Sequence, residues 1–347
     1  SVQGPLILPD SAVVYSPCVN GFDVGAYLAS AGGYLNYHTQ LVYEDRVSGA
    51  DVVARTALNA SVDPRLLLAF IEFRSGWVRN YIGNPNTTYP LGLNTQYYEG
   101  LFRELGLVTQ GINAGYYAWR QGQISRITFA DGRSADIAPN LNAGSVGILY
   151  LFAQLYPLGE VDAKLYGEGG FLSVYQSMFG DPLICAASVE PLFTQNMQLP
   201  ALELPFAPGE RWSLTGGLHA DWVTGTPLGA LDFAPITGET ACSVSRAWVL
   251  ASAAGVVTRS SNSVVLVALE DESGLPTGWE LMYMHVAEKD RVPVGTRLRL
   301  DDRIGHPSCE GGPATGTHVH ITRKFRGEWI GADDAFPFVL SGWQAFP

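Results

Sequence analysis

The sequence predicts an α+β protein of two domains, the first mostly helical and the second built on an antiparallel β-sheet or open barrel. Its 347 residues are enough for two domains of ~100–200 residues each. Helical signals dominate the first half, whereas short β-branched runs separated by Gly, Pro, Asp and Ser dominate the second. We expect an extended segment over 1–20, a helical domain over 21–185, a linker over 186–206 and a β-rich domain over 207–347.

Two buried helices and a hairpin are predicted within the first domain. The Asp-Pro pair at 63–64 combines an N-cap with a proline at the first helical position. Residues 65–71 are apolar nearly all round, which indicates a central helix. A second apolar helix is expected after Asn142, and between the two helices Asp131-Gly132 predicts a hairpin turn.

The second domain follows a stretch without periodicity. Residues 186–208 contain four prolines and no clear period, which is typical of a linker. Beyond it, strands are expected in five runs, 248–260, 263–270, 279–286, 296–300 and 317–325.

Charge and hydropathy exclude several classes of protein. A net charge of −12 makes nucleic-acid binding through a basic face unexpected. Hydrophobic residues make up 47% and charged residues 16%, which is not the composition of a disordered chain. No run of ~20 apolar residues is present, so no membrane-spanning helix is expected. The chain starts at Ser1 without a basic and apolar leader, and we expect an exported protein whose signal peptide has been removed. The oligomeric state stays open.

The four cysteines favour disulfides over a metal site. None forms a C-x-x-C pair, so a cysteine zinc site is disfavoured. An even, sparse set suits two disulfides in an exported protein, and the order along the chain suggests Cys18–Cys185 and Cys242–Cys309. The alternative is four buried free thiols.

Five of the six histidines fall within 219–320. His318 and His320 stand two apart in a predicted strand, so their side chains share one face. A metal or a proton-transfer task is the usual reason for such a pair, and the alternative is a chance pair on a solvated face. We interpret His38 and His306 as structural.

A carboxylate in an apolar strand completes the candidate site. Asp232 lies between Leu and Phe, where burial is costly unless a cation or partner is bound. His219 precedes it, and His285 follows alternating bulky residues on a third predicted strand. Two histidines, one carboxylate and an open position make a catalytic zinc site, and further histidines can move protons or stabilise an oxyanion. Asp221 competes with Asp232 locally, but its polar turn favours a capping role.

Residues from about 207 to 335 resemble the lysostaphin/staphylolysin (LasA) group of zinc endopeptidases. That group shares a His, a downstream Asp and a His-x-His on a late strand, and its closest variant has the longer His-to-Asp gap and the Leu-Asp-Phe context found here. The resemblance implies one zinc ion per chain bound by His219, Asp232 and His320. It also implies that His285 and His318 are catalytic residues that do not bind the metal.

The implied activity is hydrolysis of peptide bonds in peptidoglycan cross-bridges or Gly-rich peptides. Activity should fall in acid, because imidazoles that bind a metal must be neutral. The segments 225–231 and 310–317 are expected to border a narrow groove. An oxyanion-stabilising tyrosine is common in the group, and Tyr283, which alternates with His285 along the strand, is the candidate here.

The helical half resembles lysozyme-like lytic transglycosylases, in which an apolar helix ends in Glu-Ser-Gly-aromatic and the Glu is the general acid. Here Ser75-Gly76-Trp77 is present but Arg74 occupies the acid position, and a guanidinium is not a general acid. Glu72 lies about 200° away around the helix. We therefore expect a degenerate, non-catalytic domain that supports the second domain or binds glycan.

Glycan contacts, if any, would come from the aromatic residues Trp77, Tyr97, Tyr98, Tyr116, Tyr117 and Trp119, unless these are core residues. Two other interpretations of the whole chain stay open. One is a non-catalytic cell-wall-binding or structural protein that retains both folds. The other is a bifunctional enzyme in which Glu72 is an unusual glycosidase acid.

Overall fold

The computed structural model describes residues 6–43, 45–193, 197–222, 225, 227–332 and 335–346. The chain divides into two compact units, residues 1–192 and 193–347. Helices dominate the first unit and an antiparallel sheet dominates the second. The predicted α+β class is therefore confirmed.

The first unit surrounds its longest helices with shorter ones and two small hairpins. Its α-helices are α1 (Val24–Ala31), α2 (Gly49–Ala60), α3 (Pro64–Ser75), α4 (Leu101–Arg120), α5 (Ala143–Leu155), α6 (Val161–Tyr166), α7 (Phe171–Phe179) and α8 (Leu183–Val189). Its strands are β1 (Thr39–Val42), β2 (Asp45–Ser48), β3 (Arg126–Thr128) and β4 (Ser134–Asp136), and they pair as β1–β2 and β3–β4.

Helix α3 begins and ends where its sequence predicts. The Asp63 carboxylate accepts the N–H of Arg65 at 2.8 Å, and Pro64 is the first helical residue. The apolar run is buried, and Gly76 at φ 68° ends the helix in the left-handed region. Asn142 likewise caps α5, and the predicted hairpin forms as β3–β4.

The N-terminal segment differs from the extended prediction. Residues 10–12 and 17–19 form short 3₁₀ turns, and much of 7–14 is buried. The Asp10 carboxylate accepts N–H groups of Asn142 and Gly144, both at 2.7 Å, at the start of α5. These contacts build the segment into the first unit. Its Cys18 forms the expected disulfide with Cys185.

The second unit is built on one large antiparallel sheet. Its strands are β5 (Trp212–Ala220), β6 (Leu228–Pro235), β7 (Val249–Leu250), β8 (Gly255–Ser261), β9 (Val264–Glu270), β10 (Pro276–Met284), β11 (Arg297–Leu298), β12 (Arg303–Gly305), β13 (Val319–Phe325), β14 (Glu328–Trp329), β15 (Val339–Leu340) and β16 (Trp343–Gln344). The large sheet runs in the order β11-β8-β9-β10-β13-β6-β5, with β14 beside β13. Each of the five predicted runs contains a strand.

The core of this unit covers one face of the sheet. Val257, Val267, Leu281 and Ile321 come from four adjacent strands and are almost fully buried. The second expected disulfide, Cys242–Cys309, is also present. Because the core fixes the faces of β13 and β6, it also fixes where their polar residues point.

The predicted linker overlaps the last helix of the first unit, since α8 extends to Val189 and the two units divide after residue 192. The four-part division of the chain stays a prediction. Within the part of the chain that the structure describes, no helix combines the length and hydropathy needed to cross a bilayer.

Candidate metal centre

Three neighbouring strands bring His219, Asp232 and His320 together. Strand β6 lies between β5 and β13 and places Asp232 directly opposite His320. The ladder between β5 and β6 shifts register at a bulge, which carries His219 to the same place. Gly216 makes this possible, because a Cβ there would lie 2.6 Å from the Asp232 carboxylate.

The three facing atoms form a small triangle. His219 Nε2 lies 3.1 Å from His320 Nδ1 and 3.3 Å from Asp232 Oδ1. His320 Nδ1 lies 3.1 Å from the same Asp232 oxygen. Within the described residues, these three form a group whose ligand atoms are close enough to share one metal ion.

Backbone carbonyls fix the proton on each imidazole. The Nδ1–H of His219 donates to the Gly217 carbonyl at 2.8 Å, and the Nε2–H of His320 donates to the Asp221 carbonyl at 2.9 Å. A carbonyl oxygen only accepts, so the neutral rings must carry their protons there. Each ring therefore turns a lone pair toward the Asp232 carboxylate.

This donor set fits a zinc ion. A tetrahedral site with bonds of ~2.0–2.1 Å has donor atoms ~3.3 Å apart, and the triangle has edges of 3.1, 3.1 and 3.3 Å. Two lone pairs and a carboxylate at such distances repel unless a cation or a proton lies between them. Backbone carbonyls on the far ring nitrogens also match the outer shell of protein metal sites.

The charges within the group are strongly coupled. The hydrogen bond that a protonated His219 donates to the Asp232 carboxylate raises the pKa of His219 above its usual 6.5, although burial opposes this shift. Burial alone would raise the pKa of Asp232, but the hydrogen bonds that His219 and His320 donate to it once they are protonated outweigh burial and hold that pKa well below the usual range. Without metal, the group therefore attracts a proton to His219.

His285 and His318 lie beside the triangle. His285 follows the last residue of β10 and His318 precedes the first residue of β13, and their ring centres are 4.4 Å apart. The Nδ1–H groups donate to the carbonyls of Glu310 and Gly316 at 2.8 and 2.7 Å. Each Nε2 is thus left as a proton acceptor, and that of His318 lies 3.8 Å from Asp232 Oδ2.

Burial controls the charge of His285. It lowers the pKa of this imidazole to about 4, while the hydrogen bond to the Glu310 carbonyl opposes the shift. His285 is therefore neutral at ordinary pH and able to accept a proton.

Two segments were expected to border a narrow groove, and the first of them, 225–231, lies partly outside the described residues. The second, 310–317, approaches His285, since a Cβ on Gly312 would lie 3.6 Å from His285 Cε1.

Tyr283 does not stabilise an oxyanion at this site. Its side chain is buried and its hydroxyl accepts the N–H of Ser252 at 2.9 Å. The predicted alternation with His285 fails because His285 has φ 61° and lies beyond the end of β10. The prediction depended on an extended strand through both residues, and β10 ends at Met284, before His285.

Asp221 is buried, where the sequence predicts a capping residue in a polar turn. Its carboxylate accepts a short hydrogen bond from the Thr322 hydroxyl, and its carbonyl holds His320. Burial raises its pKa well above the usual value. Sequence reasoning missed this orienting role, because a backbone carbonyl leaves no signal in the sequence.

The other two histidines make structural contacts. His38 is buried in the first unit beside Tyr34 and Trp77. His306 packs against Trp248, and its Nδ1–H donates to the Ala247 carbonyl at 2.8 Å. Both positions agree with the structural interpretation.

The helical unit uses the candidate glycosidase residues for packing. The Glu72 carboxylate accepts the N–H groups of Val78 and Arg79 at 3.0 Å and also contacts the Arg79 and Asn80 side chains. Arg74 reaches away and donates to the Leu91 carbonyl at 2.7 Å. Four donors on Glu72 describe a carboxylate that holds the turn after α3.

Half of the proposed glycan-contacting aromatics are core residues. Trp77, Tyr116 and Tyr117 are at most 2% exposed, so for these three the alternative that they are core residues is confirmed. Trp119 is partly buried and donates its indole N–H to the Leu141 carbonyl. Tyr97 and Tyr98 are exposed, at 74% and 40%.

Comparison with known proteins places both halves of the chain. The family model described as LasA, N-terminal domain, matches residues 6–192. The chain is 26% identical over 356 residues to Protease LasA of Pseudomonas aeruginosa, covering 95% of this chain and 76% of that protein. It is 28% identical over 186 residues to the Beta-lytic metalloendopeptidase of Achromobacter lyticus, covering 51% of this chain and 43% of that protein.

Among solved structures, the M23 metalloprotease pseudoalterin is similar to this chain at 24% identity and a TM-score of 0.34. The match covers 43% of this chain and 95% of pseudoalterin.

Proposed function

We propose that this chain, which belongs to the LasA family and is a metalloendopeptidase, is a secreted zinc enzyme. Its expected substrates are peptide bonds in peptidoglycan cross-bridges or Gly-rich peptides. The observation that supports this most is the convergence of two imidazole lone pairs and one carboxylate oxygen within 3.3 Å. Such a set of acceptors has little stability without a cation.

His219 Nε2, Asp232 Oδ1 and His320 Nδ1 are the atoms that would hold the zinc ion. A zinc ion bound there would supply Lewis-acid activation of a water molecule and of the scissile carbonyl. The chain's own part is to keep both imidazoles in the required tautomer through the Gly217 and Asp221 carbonyls.

Proton transfer falls to His285 and His318. Each has its Nδ1–H occupied by a carbonyl, so each Nε2 can accept the proton that the attacking water loses. The Asp232 carboxylate beside His318 stabilises the imidazolium that forms. That imidazolium can donate a hydrogen bond to the developing oxyanion and return its proton to the leaving amine nitrogen.

Glycine-rich substrates suit the surroundings of His285. The 310–317 segment lies close to this ring, and it carries glycine at 311, 312 and 316. A groove bordered so closely would admit residues without large side chains. With a net charge of −12, the protein would hold its substrate through hydrogen bonds and apolar contacts rather than through a basic surface.

The two disulfides support a role outside the cytoplasm, where such bonds persist. For the helical unit we propose a supporting or glycan-binding role without glycan cleavage. Its exposed Tyr97 and Tyr98 are the side chains that could contact sugar rings.

Cleavage of a pentaglycine peptide tests the proposed function. We expect cleavage by the full chain, loss with a zinc chelator and recovery on adding zinc. No cleavage, with the protein folded and zinc-loaded, would instead favour a non-catalytic wall-binding protein. Cleavage that survives chelation and His320→Ala would show that the site lies elsewhere.

A further inference from the structure

Two segments of the second unit converge on the backbone of His285. Its φ of 61° lies in the left-handed region, which is uncommon for a residue other than glycine. Such a conformation is strained and persists only where surrounding contacts impose it. The contacts around His285 should therefore include groups whose role is to hold it.

Direct hydrogen bonds hold the peptide group that joins His285 to Val286. The N–H of Val286 donates to the Ser263 carbonyl at 3.1 Å. The His285 carbonyl accepts both the N–H and the hydroxyl of Ser308, at 2.8 and 2.9 Å. The turn after β8 and the segment after β12 therefore both fix its backbone.

The Glu310 residue connects these segments through two different groups. Its carbonyl accepts the Nδ1–H of His285 at 2.8 Å. Its carboxylate atom Oε2 accepts the Glu288 N–H at 2.9 Å and the Ser263 hydroxyl at 3.2 Å. The Glu310 side chain thus fixes the position of its own backbone carbonyl, and that carbonyl holds the His285 imidazole.

The loop around Glu310 has little freedom to settle elsewhere. A Cβ on Gly311 would lie 2.6 Å from the Ser263 Cβ, so the two segments touch. Cys309, next to Glu310, is bonded to Cys242. The adjacent Ser243 carbonyl accepts the Thr317 hydroxyl at 2.7 Å, next to His318.

We propose that Glu310 is a positioning residue for proton transfer: its carboxylate holds the 308–312 loop so that its carbonyl keeps His285 in the Nδ1–H tautomer. Nε2 is then presented as the acceptor. This inference rests on the proposed function of His285. The metal-binding triangle is not involved, because Glu310 is not among the hydrogen-bond partners of His219, Asp232 or His320.

The test compares Glu310→Ala with Glu310→Gln in the full chain. Because one carboxylate oxygen accepts both hydrogen bonds, the amide oxygen of Gln can replace it, whereas Ala cannot. We expect Glu310→Ala to lower kcat for pentaglycine cleavage about 10–100-fold with little change in KM, as for a misplaced catalytic group. Bound zinc should stay at the wild-type level, and Glu310→Gln should retain most of the activity.

Asp271→Ala is the matched control. Asp271 also fastens a turn, by accepting the N–H and hydroxyl of Ser273 and the N–H of Leu275, but this turn lies between β9 and β10, at the other end of β10 from His285. We expect wild-type kcat. Ser263→Ala removes one donor to Glu310 and should lower kcat by a smaller factor than Glu310→Ala. It still tests the proposal if Glu310→Ala folds poorly.

The ¹⁵N chemical shifts of the His285 ring provide a readout that does not depend on activity. We expect the Nδ1–H tautomer in the wild type and in Glu310→Gln, and a mixture of tautomers in Glu310→Ala. An active wild type, together with unchanged kcat and tautomer in Glu310→Ala, would overturn the positioning role alone. An inactive, zinc-loaded wild type would overturn the proposed function, whatever the tautomer.

Discussion

The Asp232 carboxylate faces His318 with one oxygen and the metal-binding triangle with the other. Its Oδ2 lies 3.8 Å from His318 Nε2, while Oδ1 lies 3.1 Å from His320 Nδ1. One side chain therefore serves two purposes in the proposed mechanism. It supplies negative charge to a bound cation and stabilises a proton that arrives on His318.

Substitution of either non-ligand histidine should separate chemistry from metal binding. We expect His318→Ala and His285→Ala each to lower kcat about 10²–10⁴-fold, the usual contribution of a general acid or base. Zinc should remain bound, since neither imidazole belongs to the triangle. Steady-state kinetics and elemental analysis of the same samples check this, and loss of zinc in either variant would assign that histidine a structural role at the metal.

Acid should inactivate the enzyme by releasing zinc rather than by protonating His285. In the metal-free protein Asp232 raises the pKa of His219, so protons compete with zinc already near neutral pH and win as the pH falls. Burial keeps the pKa of His285 at about 4, below this range. Zinc affinity, measured against a competing chelator, should fall together with activity. Activity lost while zinc stays bound would contradict this order.

Thr322→Val should weaken both stability and metal binding. The Thr322 hydroxyl donates to the buried Asp221 carboxylate, whose second oxygen has no hydrogen-bond partner among the residues that the structure describes. Removing the donor leaves a buried polar group unsatisfied, which costs about 1–3 kcal/mol. We expect the free energy of unfolding, measured in urea, to fall by this amount. Zinc affinity should fall as well, because the Asp221 carbonyl orients His320. Thr322→Ser keeps a hydroxyl and should behave like the wild type.

The helical unit should not cleave glycan. Glu72 holds the turn after α3, and Arg74 binds the Leu91 carbonyl, so neither is placed as a general acid. We expect no reducing-end or anhydro-sugar products from purified peptidoglycan. Release of such products by the wild type and its loss in Glu72→Gln would restore the bifunctional interpretation.

The sequence predicted those parts of the molecule that depend on local patterns. The Asp63 cap, the β-branched runs and the faces of β6 and β13 follow from spacing and hydropathy, and the resemblance to a family supplied the order of the candidate ligands. Local patterns left alternatives open where tertiary context decides, as for the aromatic residues of the helical unit. Trp77 belongs to the core because Tyr34 and His38 pack around it.

Two orienting residues were beyond prediction for a common physical reason. Glu310 and Asp221 hold His285 and His320 through backbone carbonyls, and every residue has such a carbonyl. The left-handed backbone at His285 likewise follows from contacts between distant segments and not from the residue type. Only the folded chain shows these relationships.

The zinc content of the purified chain, with His320→Ala alongside, tests the central claim most directly. Elemental analysis should find about one zinc per chain in the wild type, in keeping with a three-residue site that leaves a fourth position open. The variant should contain almost none while remaining folded by circular dichroism. A wild type without zinc after purification in its presence, or a variant that retains it, would contradict the assignment of His219, Asp232 and His320.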